Sequence, residues 1–453
     1  MSEERKLPEG WECSRLEDHI ELKYGKSLPA KKRDNSGFAV FGSNGPVGHH
    51  SKPLTQGPTI IVGRKGSIGE IHFSDKPCSP IDTTYYIDDF HGQPPAYWKH
   101  FLKHLHLAEL NRATALPGLS RKDVYALKVT IPPIEDQKRI VAKIESLQER
   151  SRAAKGHLEQ IPDLLNKLRQ SVLAAAFRGD LTKEWRAKNP NIEPATELLK
   201  RIKKERRTKW EQQQLANYKA KGKQPPKNWK EKYKEPAPVD TDGLPELPGG
   251  WCWARVKELG EVTLGRQRAP KYHSGDNMRS YLRVKNVFED RIDISDVMKM
   301  DFSGDEFEKF RLVHGDILLN EGQSLELVGR PAMFNGEIED VCFTNTLVRF
   351  RAYQQVLPRF ALYLFLLYLK NGRFMQIASW STNIAHLGAG RFAELEFSLP
   401  PIDEQQEIVT LLDKVSLSIE NVKSRREDMH KQVSFLEHGM LAKAFRGELV
   451  VLG

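Results

Sequence analysis

The chain has 453 residues, which is too long for one compact core and therefore predicts two or more domains. Hydrophobic residues make up 39% of it, a content that suits a folded protein and excludes a mainly disordered one. The formal net charge of +10 favours a polyanionic partner, but charge alone does not separate DNA from RNA or from an acidic protein.

The four cysteines, Cys13, Cys78, Cys252 and Cys342, lie far apart and form no Cys-x-x-Cys or Cys/His ligand spacing. This predicts no structural zinc and suits a reducing compartment. The first eleven residues contain no apolar run, so we expect no secretion signal. The longest apolar run, residues 360–369, is shorter than the roughly 20 residues that span a bilayer. We therefore expect a soluble, cytoplasmic protein.

Three short motifs occur twice, which predicts an internal repeat. The pairs are LPEGW at 7–11 and LPGGW at 247–251, IPPIEDQ at 131–137 and LPPIDEQ at 399–405, and AFRGD at 176–180 and AFRGE at 444–448. The second and third pairs share an offset of 268 residues, whereas the first pair is offset by 240. The stretch before the IPPI motif has therefore changed length, and the stretch after it has not. This pattern suggests a rigid spacer beside an adaptable module.

The stretch of fixed length carries an a/d heptad pattern in both copies. Its seam positions in the first copy are Ile140, Ile144, Leu147, Ser151, Ala154, Leu158, Ile161, Leu165, Leu168 and Val172. In the second copy they are Ile408, Leu412, Val415, Ile419, Val422, Arg426, Met429, Val433, Leu436 and Met440. We expect two long helices whose seams pack on each other as an antiparallel intramolecular coiled coil. Pro162 is expected to kink the first.

The regions before each helix are predicted to be mixed α/β (α+β) domains. Short apolar runs at 59–62 and 316–319 predict strands, and helical pieces are expected at 96–110 and 359–374. The expected organisation is two globular domains at 1–133 and 247–400, spacer helices at 134–180 and 401–448, and a connector at 181–246.

The connector carries most of the positive charge. Residues 181–234 contain 17 Lys and Arg and 6 Asp and Glu, a net charge of +11, so the other 399 residues have a net charge of −1. A charge run of this kind is usually a solvated helix or linker, and docking on phosphates or on a partner protein is the alternative. Prolines between 225 and 245 predict a flexible boundary at about 222–246.

Catalytic motifs are missing from the sequence. GRKGS at 63–67 has the residues of a phosphate loop in the wrong order, and no HExxH, GxSxG or Asn/Asp-Pro-Pro-Tyr/Phe motif occurs. His49-His50 lies in a Gly-rich loop, where adjacent histidines are more often solvated or phosphate-facing than metal-binding. We expect no catalytic residue, no metal site and no cofactor in this chain.

The order, duplication and spacing of these motifs, with LTKEWRAKNP at 181–190, resemble the specificity subunit of Type I restriction–modification systems. The resemblance covers essentially the whole chain. It implies two target recognition domains that read the halves of an asymmetric bipartite site in double-stranded DNA. It also implies that the helices set the spacing and dock two adenine methyltransferase subunits, through which restriction subunits join in phage defence. S-adenosylmethionine, ATP and Mg would belong to those partners.

Two other readings stay open at this point. One is a non-catalytic scaffold of another defence system that uses the same duplicated fold, and the other is an enzyme with an unrecognised site. The scaffold would bind protein partners and show no sequence preference on DNA, whereas the enzyme would methylate DNA without partner subunits.

Side chains that reach base edges specify sequence, while Lys and Arg on phosphates mainly position the protein. The DNA-binding candidates in the first half are Ser43, Asn44, His49, His50, Arg64, Lys65, Ser67 and Arg121. Those in the second half are Arg266, Arg268, Lys271, Arg283, Lys285, Asn286, Gln323, Ser324 and Arg391. Glu321 stands where relatives often carry a basic residue. It could accept a hydrogen bond from a cytosine amino group, or leave its loop off the DNA.

Overall fold

The computed structural model of the protein describes residues 9–111, 118–381 and 383–449, so the first two residues of the LPEGW motif lie outside the described residues. The chain divides into two compact units. Unit 1 comprises Met1–Ile161 and Ser424–Gly453, and unit 2 comprises Pro162–Lys423. Each unit contains one globular module and a part of each long helix.

The described residues of unit 1 form a mixed module with nine strands. They are β1 (Glu12–Arg15), β2 (Lys23–Tyr24), β3 (Phe38–Gly42), β4 (Gly45–His50), β5 (Thr59–Gly63), β6 (Ile71–Ser74), β7 (Cys78–Pro80), β8 (Thr84–Ile87) and β9 (Lys128–Ile131). The helices are α1 (Pro95–His104), α2 (Arg121–Tyr125), the first part of α3 (Ile134–Phe177) and residues 424–445 of the second long helix. The apolar run predicted as a strand is β5, which is buried along its whole length at the centre of a four-stranded sheet.

The core of unit 1 lies between this sheet, α1 and the long helices. Ile60 of β5 belongs to one buried cluster with Trp98 of α1, Ile140 of α3 and Phe445. The Phe445 ring lies 5.0 Å from the Phe101 ring, centroid to centroid. The module is therefore anchored on the helices by shared apolar burial, which is the dominant favourable term in folding.

Unit 2 contains a larger module. Its strands are β10 (Cys252–Arg255), β11 (Gly260–Leu264), β12 (Met278–Leu282), β13 (Val287–Phe288), β14 (Arg291–Ile292), β15 (Met298–Asp301), β16 (Ile317–Asn320), β17 (Gly322–Gln323), β18 (Pro331–Met333), β19 (Val341–Phe343), β20 (Leu347–Ala352), β21 (Ser379–Ser381), β22 (Ile384–His386) and β23 (Glu396–Leu399). Its helices are α4 (Lys183–Lys188), α5 (Ala195–Ala220), α6 (Val256–Leu259), α7 (Gly304–Phe310), α8 (Pro358–Lys370), α9 (Arg373–Ile377), α10 (Ala389–Ala393) and part of α11 (Ile402–Phe445).

The two modules repeat one topology, so the predicted duplication is confirmed. The four-stranded sheets have the orders β2-β8-β5-β6 and β11-β20-β16-β18. Each module also has a three-stranded sheet with one antiparallel and one parallel pair, β4-β3-β7 and β15-β12-β19. Within the described residues, the module of unit 2 also has the sheets β13-β14 and β17-β22-β21. The β13-β14 sheet lies in the connection between β12 and β15, where unit 1 has only a two-residue turn between β3 and β4, and this longer connection helps to explain why the offset of the first motif differs from that of the other two.

The glutamine of each PPI-x-x-Q motif closes the first turn of a long helix. Gln137 and Gln405 are buried, and each Nε2 donates to the carbonyl of the first proline in its motif, at 3.0 and 3.1 Å. Proline cannot continue a helix backwards. The motif therefore marks where α3 and α11 begin, and both helices then run for 44 residues.

The AFRG motifs end the same helices. Gly179 and Gly447 have φ angles of +76° and +74°, in the left-handed region that favours glycine at a helix end. The amides of Asp180 and Glu448 bond the carbonyls of Ala175 and Lys443, which completes the same terminal turn in both copies. A Cβ on Gly179 would also lie 2.4 Å from Pro248, so no larger residue fits there.

Within each unit the long helices pack side by side. In unit 1, Ser151 and Lys155 of α3 contact Glu437 of α11, and Arg426 Nε donates to the Leu158 carbonyl at 2.7 Å, an antiparallel order. In unit 2, Leu173 and Phe177 share a buried cluster with Ile408 and Leu412. The predicted seam is only partly buried, because the side chains of Leu168, Met429 and Leu436 are exposed.

The basic connector is folded onto unit 2. Its helix α5 buries Leu198 and Ile202 in the core of the unit, and Lys203 pairs with Glu258 at 3.1 Å. Farther along, Trp210 stacks on Trp229 with centroids 6.0 Å apart, which holds the returning chain against the helix. The connector is thus partly a solvated helix, as the charge pattern suggested, and its first half is part of the fold.

Candidate nucleic-acid interface

The first candidate loop in unit 1 is the two-residue turn between β3 and β4. Ser43 is buried and its hydroxyl donates to the Thr83 carbonyl at 2.6 Å, so it braces the turn. Asn44 is exposed at the tip. Gly45 follows with a φ of +102°, which glycine tolerates. Of the two predicted residues, Asn44 is the one whose side chain is free to meet a base.

The adjacent histidines lie at the end of β4. His49 is exposed, whereas His50 is half-buried with its Nδ1 3.3 Å from an Asp34 carboxylate oxygen. Hydrogen bonds from Ser51, and then from Ser36, hold the pKa of Asp34 below its usual range, so the carboxylate stays charged beside His50. Among the described residues no group of three or more potential ligands could hold a metal ion.

A basic and aromatic cluster forms the second candidate site in unit 1. The guanidinium carbons of Arg64 and Arg121 lie 5.3 and 5.2 Å from the centroid of the Tyr24 ring, which is 51% exposed. Arg64 also lies over Tyr85, whose pKa burial raises to about 12. These cation–π contacts steady two arginines that are 57 residues apart in sequence.

The Tyr24 cluster can hold an anion. Arg64 Nη2 donates to the Asp82 carbonyl at 2.5 Å, and Arg121 Nη1 donates to the Leu22 carbonyl at 3.4 Å. Each guanidinium has five N–H donors, so others remain for a phosphate or a guanine edge. In the same turn, Lys65 is exposed and Ser67 is half-buried. Sequence reasoning named both arginines but missed Tyr24, because cation–π partners distant in sequence leave no local motif.

Two predicted residues of unit 2 act inside its fold. Arg266 is buried, pairs with Glu306 at 2.7 Å and lies 3.7 Å over the Tyr272 ring. Asn286 is buried and its Nδ2 donates to the carbonyls of Asp293 and Asp296. Neither side chain is available to a duplex in this conformation, and their contribution is to support neighbouring loops.

The other predicted cations in this part of unit 2 lie on loops near Arg266 and Asn286. Arg268 and Lys271 are exposed, and each lies over a tyrosine ring, Tyr281 and Tyr272. Arg283 and Lys285 instead share one carboxylate.

That carboxylate is Asp296, at 2.9 Å from Arg283 and 2.6 Å from Lys285. A hydrogen bond from Lys285 lowers the pKa of Asp296. Exposed ion pairs of this kind are weak, so a DNA phosphate can compete for Lys285.

The loop with Glu321 is tied to the β21–β22 hairpin. His386 Nδ1 lies 3.0 Å from a Glu321 carboxylate oxygen, and its Nε2 lies 2.7 Å from the Ser381 hydroxyl. A carboxylate only accepts, so Nδ1 carries the proton in this contact, while Nε2 is hydrogen-bonded to the Ser381 hydroxyl. This internal role favours the reading in which Glu321 does not contact cytosine. Gln323 is half-buried in β17, and Ser324 beside it is exposed.

Arg391, predicted as a phosphate contact, braces the same hairpin. Its Nε donates to the Ile377 carbonyl at 2.7 Å, and its Nη2 donates to the His386 carbonyl at 2.7 Å and to the Ser379 hydroxyl at 2.9 Å. The side chain is exposed, so N–H donors remain for solvent or a phosphate.

Comparison with known proteins defines the class of this chain. A family model described as the Type I restriction modification DNA specificity domain matches residues 8–163 and 248–428, one match for each copy of the repeat. The chain belongs to this family of Type I restriction–modification specificity subunits, which are non-catalytic DNA-recognition proteins.

Individual relatives agree with the family. The Type I restriction enzyme EcoDI specificity subunit of Escherichia coli is 23% identical over 460 residues, covering 98% of this chain and 90% of that protein. The EcoKI specificity subunit of E. coli strain K12 is 23% identical over 345 residues, covering 76% and 62%.

Solved structures share the fold. The crystal structure of the HsdS subunit from Thermoanaerobacter tengcongensis superposes with a TM-score of 0.58 at 18% identity, covering 98% of this chain and 99% of that one. A chain from work on complex assembly and conformational transition of the type I R-M system superposes with a TM-score of 0.55, also at 18% identity. In the part of the chain that the structure describes, no helix is long and apolar enough to cross a membrane.

Proposed function

We propose that the two modules read the two halves of an asymmetric bipartite site in double-stranded DNA. The observation that carries this proposal is a shared topology with different exposed chemistry. Unit 1 presents Arg64 and Arg121 around Tyr24 and Asn44 at the tip of a turn, whereas unit 2 presents Arg268 and Lys271 on a loop and Gln323 on β17. Because polar side chains read base edges, two modules with the same fold but different exposed polar side chains are expected to recognise two different half-sites.

We propose that α3 and α11 set the distance between the half-sites. Each helix has 44 residues, about 66 Å at 1.5 Å per residue, and starts in one unit and ends in the other. Modules joined by rods of fixed length engage half-sites at a fixed separation, as paired DNA-binding modules do at about 34–36 Å. Under this proposal the chain consists of two recognition modules, two spacer helices and a connector. The modules are residues 1–133 and 247–400, the spacers 134–180 and 401–448, and the connector 181–246.

The long helices are also proposed to dock two adenine methyltransferase subunits, and through them the restriction subunits. Large apolar side chains point into solvent on both helices, which is unusual for an isolated pair and typical of a surface that a partner covers. They are Leu164, Leu168, Leu417, Met429, Phe435 and Leu436. S-adenosylmethionine, ATP and Mg would be held by those partners, and we place the assembly in the cytoplasm, where it meets DNA.

Base-resolved mapping of adenine methylation, in cells with and without this gene, tests the proposed function. We expect one bipartite motif with unspecified bases between its halves to lose methylation when the gene is deleted. Expression of the chain in trans should restore it. An unchanged methylation pattern would contradict the proposal. The chain alone, given S-adenosylmethionine and DNA, should transfer no methyl group.

A further inference from the structure

The β21–β22 hairpin of unit 2 carries two large apolar side chains that its own unit leaves uncovered. Trp380 is 61% exposed and Ile384 is 48% exposed. Neighbouring apolar residues, Phe374, Leu387 and Phe392, are fully buried. Exposed apolar surface often marks a binding site, and the amphipathic ring of tryptophan is enriched at such sites. The hairpin is therefore a candidate contact surface.

Strand register places Trp380 in line with a predicted base reader. Trp380 pairs with Ala385 across β21 and β22, and Ala385 pairs with Gln323 across β22 and β17. Directly paired residues of antiparallel strands point to the same face of a sheet. Trp380 and Gln323 therefore share one face, two strand spacings or about 10 Å apart.

The two apolar side chains lie on opposite faces of the hairpin. Ile384 is paired with Ser381, one residue along from the Trp380–Ala385 pair, and successive residues of a strand alternate faces. In the described residues β17 pairs with Ala385 and His386, so the hairpin extends beyond it by one pair, Ser381 and Ile384. A flat protein surface would cover one face of this two-stranded end. The major groove, about 12 Å wide, admits a two-stranded ribbon and contacts both faces.

The hairpin is held in place before any partner binds. The three hydrogen bonds of Arg391 fix its base, and the His386 ring joins Ser381 to Glu321. Support of this kind lowers the entropic cost of binding, because the contacting side chains sit on an ordered backbone. The same bonds explain why Arg391 and Glu321 are used inside the module.

We infer that Trp380 and Ile384 form an apolar DNA contact that enters the major groove at the half-site of unit 2 and packs against base edges and thymine methyl groups. This inference rests on the proposed function of the module. Apolar contacts with bases displace few counterions. Each phosphate contact, in contrast, adds about 0.9 to the steepness with which the logarithm of the binding constant falls with the logarithm of the salt concentration. Trp380 should therefore add affinity and base preference without adding salt dependence.

The test uses the complex of this chain with its methyltransferase subunits, a duplex carrying the mapped motif, and a scrambled duplex. We expect Trp380→Ala to weaken binding of the mapped duplex by about tenfold at every salt concentration, with an unchanged salt slope. Trp380→Phe should retain most of the affinity. Leu215→Ala, which removes an exposed apolar side chain from α5, is the matched control and should bind as the wild type does.

Base substitutions localise the contact. With Trp380→Ala, preference should fall only at positions of the half-site read by unit 2. One outcome is that the wild-type complex binds the mapped duplex more tightly than the scrambled one while Trp380→Ala binds the mapped duplex as tightly as the wild type does. In that case the inference fails and the proposed function stands. If Trp380→Ala instead weakens assembly with the methyltransferase subunits, the hairpin binds protein and the inference is wrong. A wild-type complex without preference would overturn the proposed function itself.

Discussion

The two modules place the same kinds of side chain in different roles. In unit 1, Arg64 and Arg121 lie at the surface around Tyr24 with donors to spare. In unit 2, Arg266 is buried in an ion pair with Glu306, and Arg391 braces a hairpin. The sheet orders are nevertheless the same. Buried pairing thus maintains the fold, while exposed loops are free to differ, as two different half-sites would require under the proposed function.

A second comparison concerns the tryptophan of each repeated LPxGW motif. Trp251 Nε1 donates to the buried Glu404 carboxylate at 2.8 Å, and Glu404 also accepts from Thr182 and Arg186. In unit 1 the repeat places Asp136 where Glu404 stands, and Trp11 Nε1 is buried with no hydrogen-bond partner among the described residues. The shorter side chain leaves one donor unsatisfied, so the two copies of the motif are not equally stabilised.

The largest effect should follow from shortening both long helices, α3 and α11. Deleting one heptad from α3 and the matching heptad from α11 removes about 10 Å of helix, or about three base pairs. We expect the two half-sites to be recognised unchanged with a shorter spacer between them, or binding to be lost. Methylation mapping measures this. Deletion variants that keep the original spacer would show that the helices do not set it.

Removing the buried carboxylate should strongly destabilise unit 2. Glu404→Ala leaves Arg186 and Trp251 without their partner, and breaking a buried charge pair typically costs about 3 kcal/mol or more. The matched change Asp136→Ala in unit 1 should cost less than about 1 kcal/mol, because the partner of Asp136 is the exposed Arg139, at a long 3.5 Å. Denaturant unfolding, with hydrogen exchange to locate the change, measures both. Equal losses would contradict the comparison.

Acid should weaken unit 1 through the buried His100. Burial lowers the pKa of His104 in α1, and it lowers the pKa of His100 in the same helix to about 4. Above pH 6.5 the ring is neutral in both the folded and unfolded chain. As pH falls from 6.5 towards 4 only the unfolded chain takes the proton, so stability falls, by about 2 kcal/mol at pH 5.

His100→Gln is the control for this pH dependence. It removes the titrating group, so the stability of unit 1 should fall less between pH 7 and pH 5 than in the wild type. The same loss in both proteins would exclude His100 as the source. Unfolding followed at each pH by hydrogen exchange in α1 provides the readout.

The Tyr24 cluster should contribute affinity mainly through charge. Arg64→Gln with Arg121→Gln is expected to weaken DNA binding about tenfold at moderate salt and to lower the logarithmic salt slope by up to about 2. Tyr24→Leu should weaken binding less while leaving most of the slope, because the charges remain and only their support is lost. An unchanged slope in the double variant would show that these arginines do not meet phosphates.

The smallest effect should come from supplying the missing hydrogen-bond acceptor for Trp11 in unit 1. Asp136→Glu supplies the longer side chain found at the matching position of unit 2, and is expected to give Trp11 Nε1 an acceptor. One buried hydrogen bond contributes about 1 kcal/mol. We expect the midpoint of unfolding of unit 1 to rise, with that of unit 2 unchanged. A lower midpoint would mean that the extra methylene does not fit.

The sequence predicted what depends on local pattern and spacing. The two helices follow from a heptad pattern between repeated motifs, and the structure shows that the chemistry that begins and ends them, at Gln137 and Gln405 and at the two glycines, lies within a few residues. Burial of Arg266 and Asn286, and the exposure of Trp380, depend on contacts between strands that are distant in sequence. Single-residue assignments in the loops therefore stay predictions, while the repeat and the fold class are confirmed.

The most direct measurement compares methylation motifs from two variants, one in each module. Asn44→Ala lies in unit 1 and Gln323→Ala in unit 2, and both are made in the intact complex. The account predicts that each variant alters a different half of one bipartite motif and leaves the other half and the spacer as they were. If both variants change the same half, or if neither changes the motif while DNA is still methylated, the assignment of one half-site to each module is contradicted.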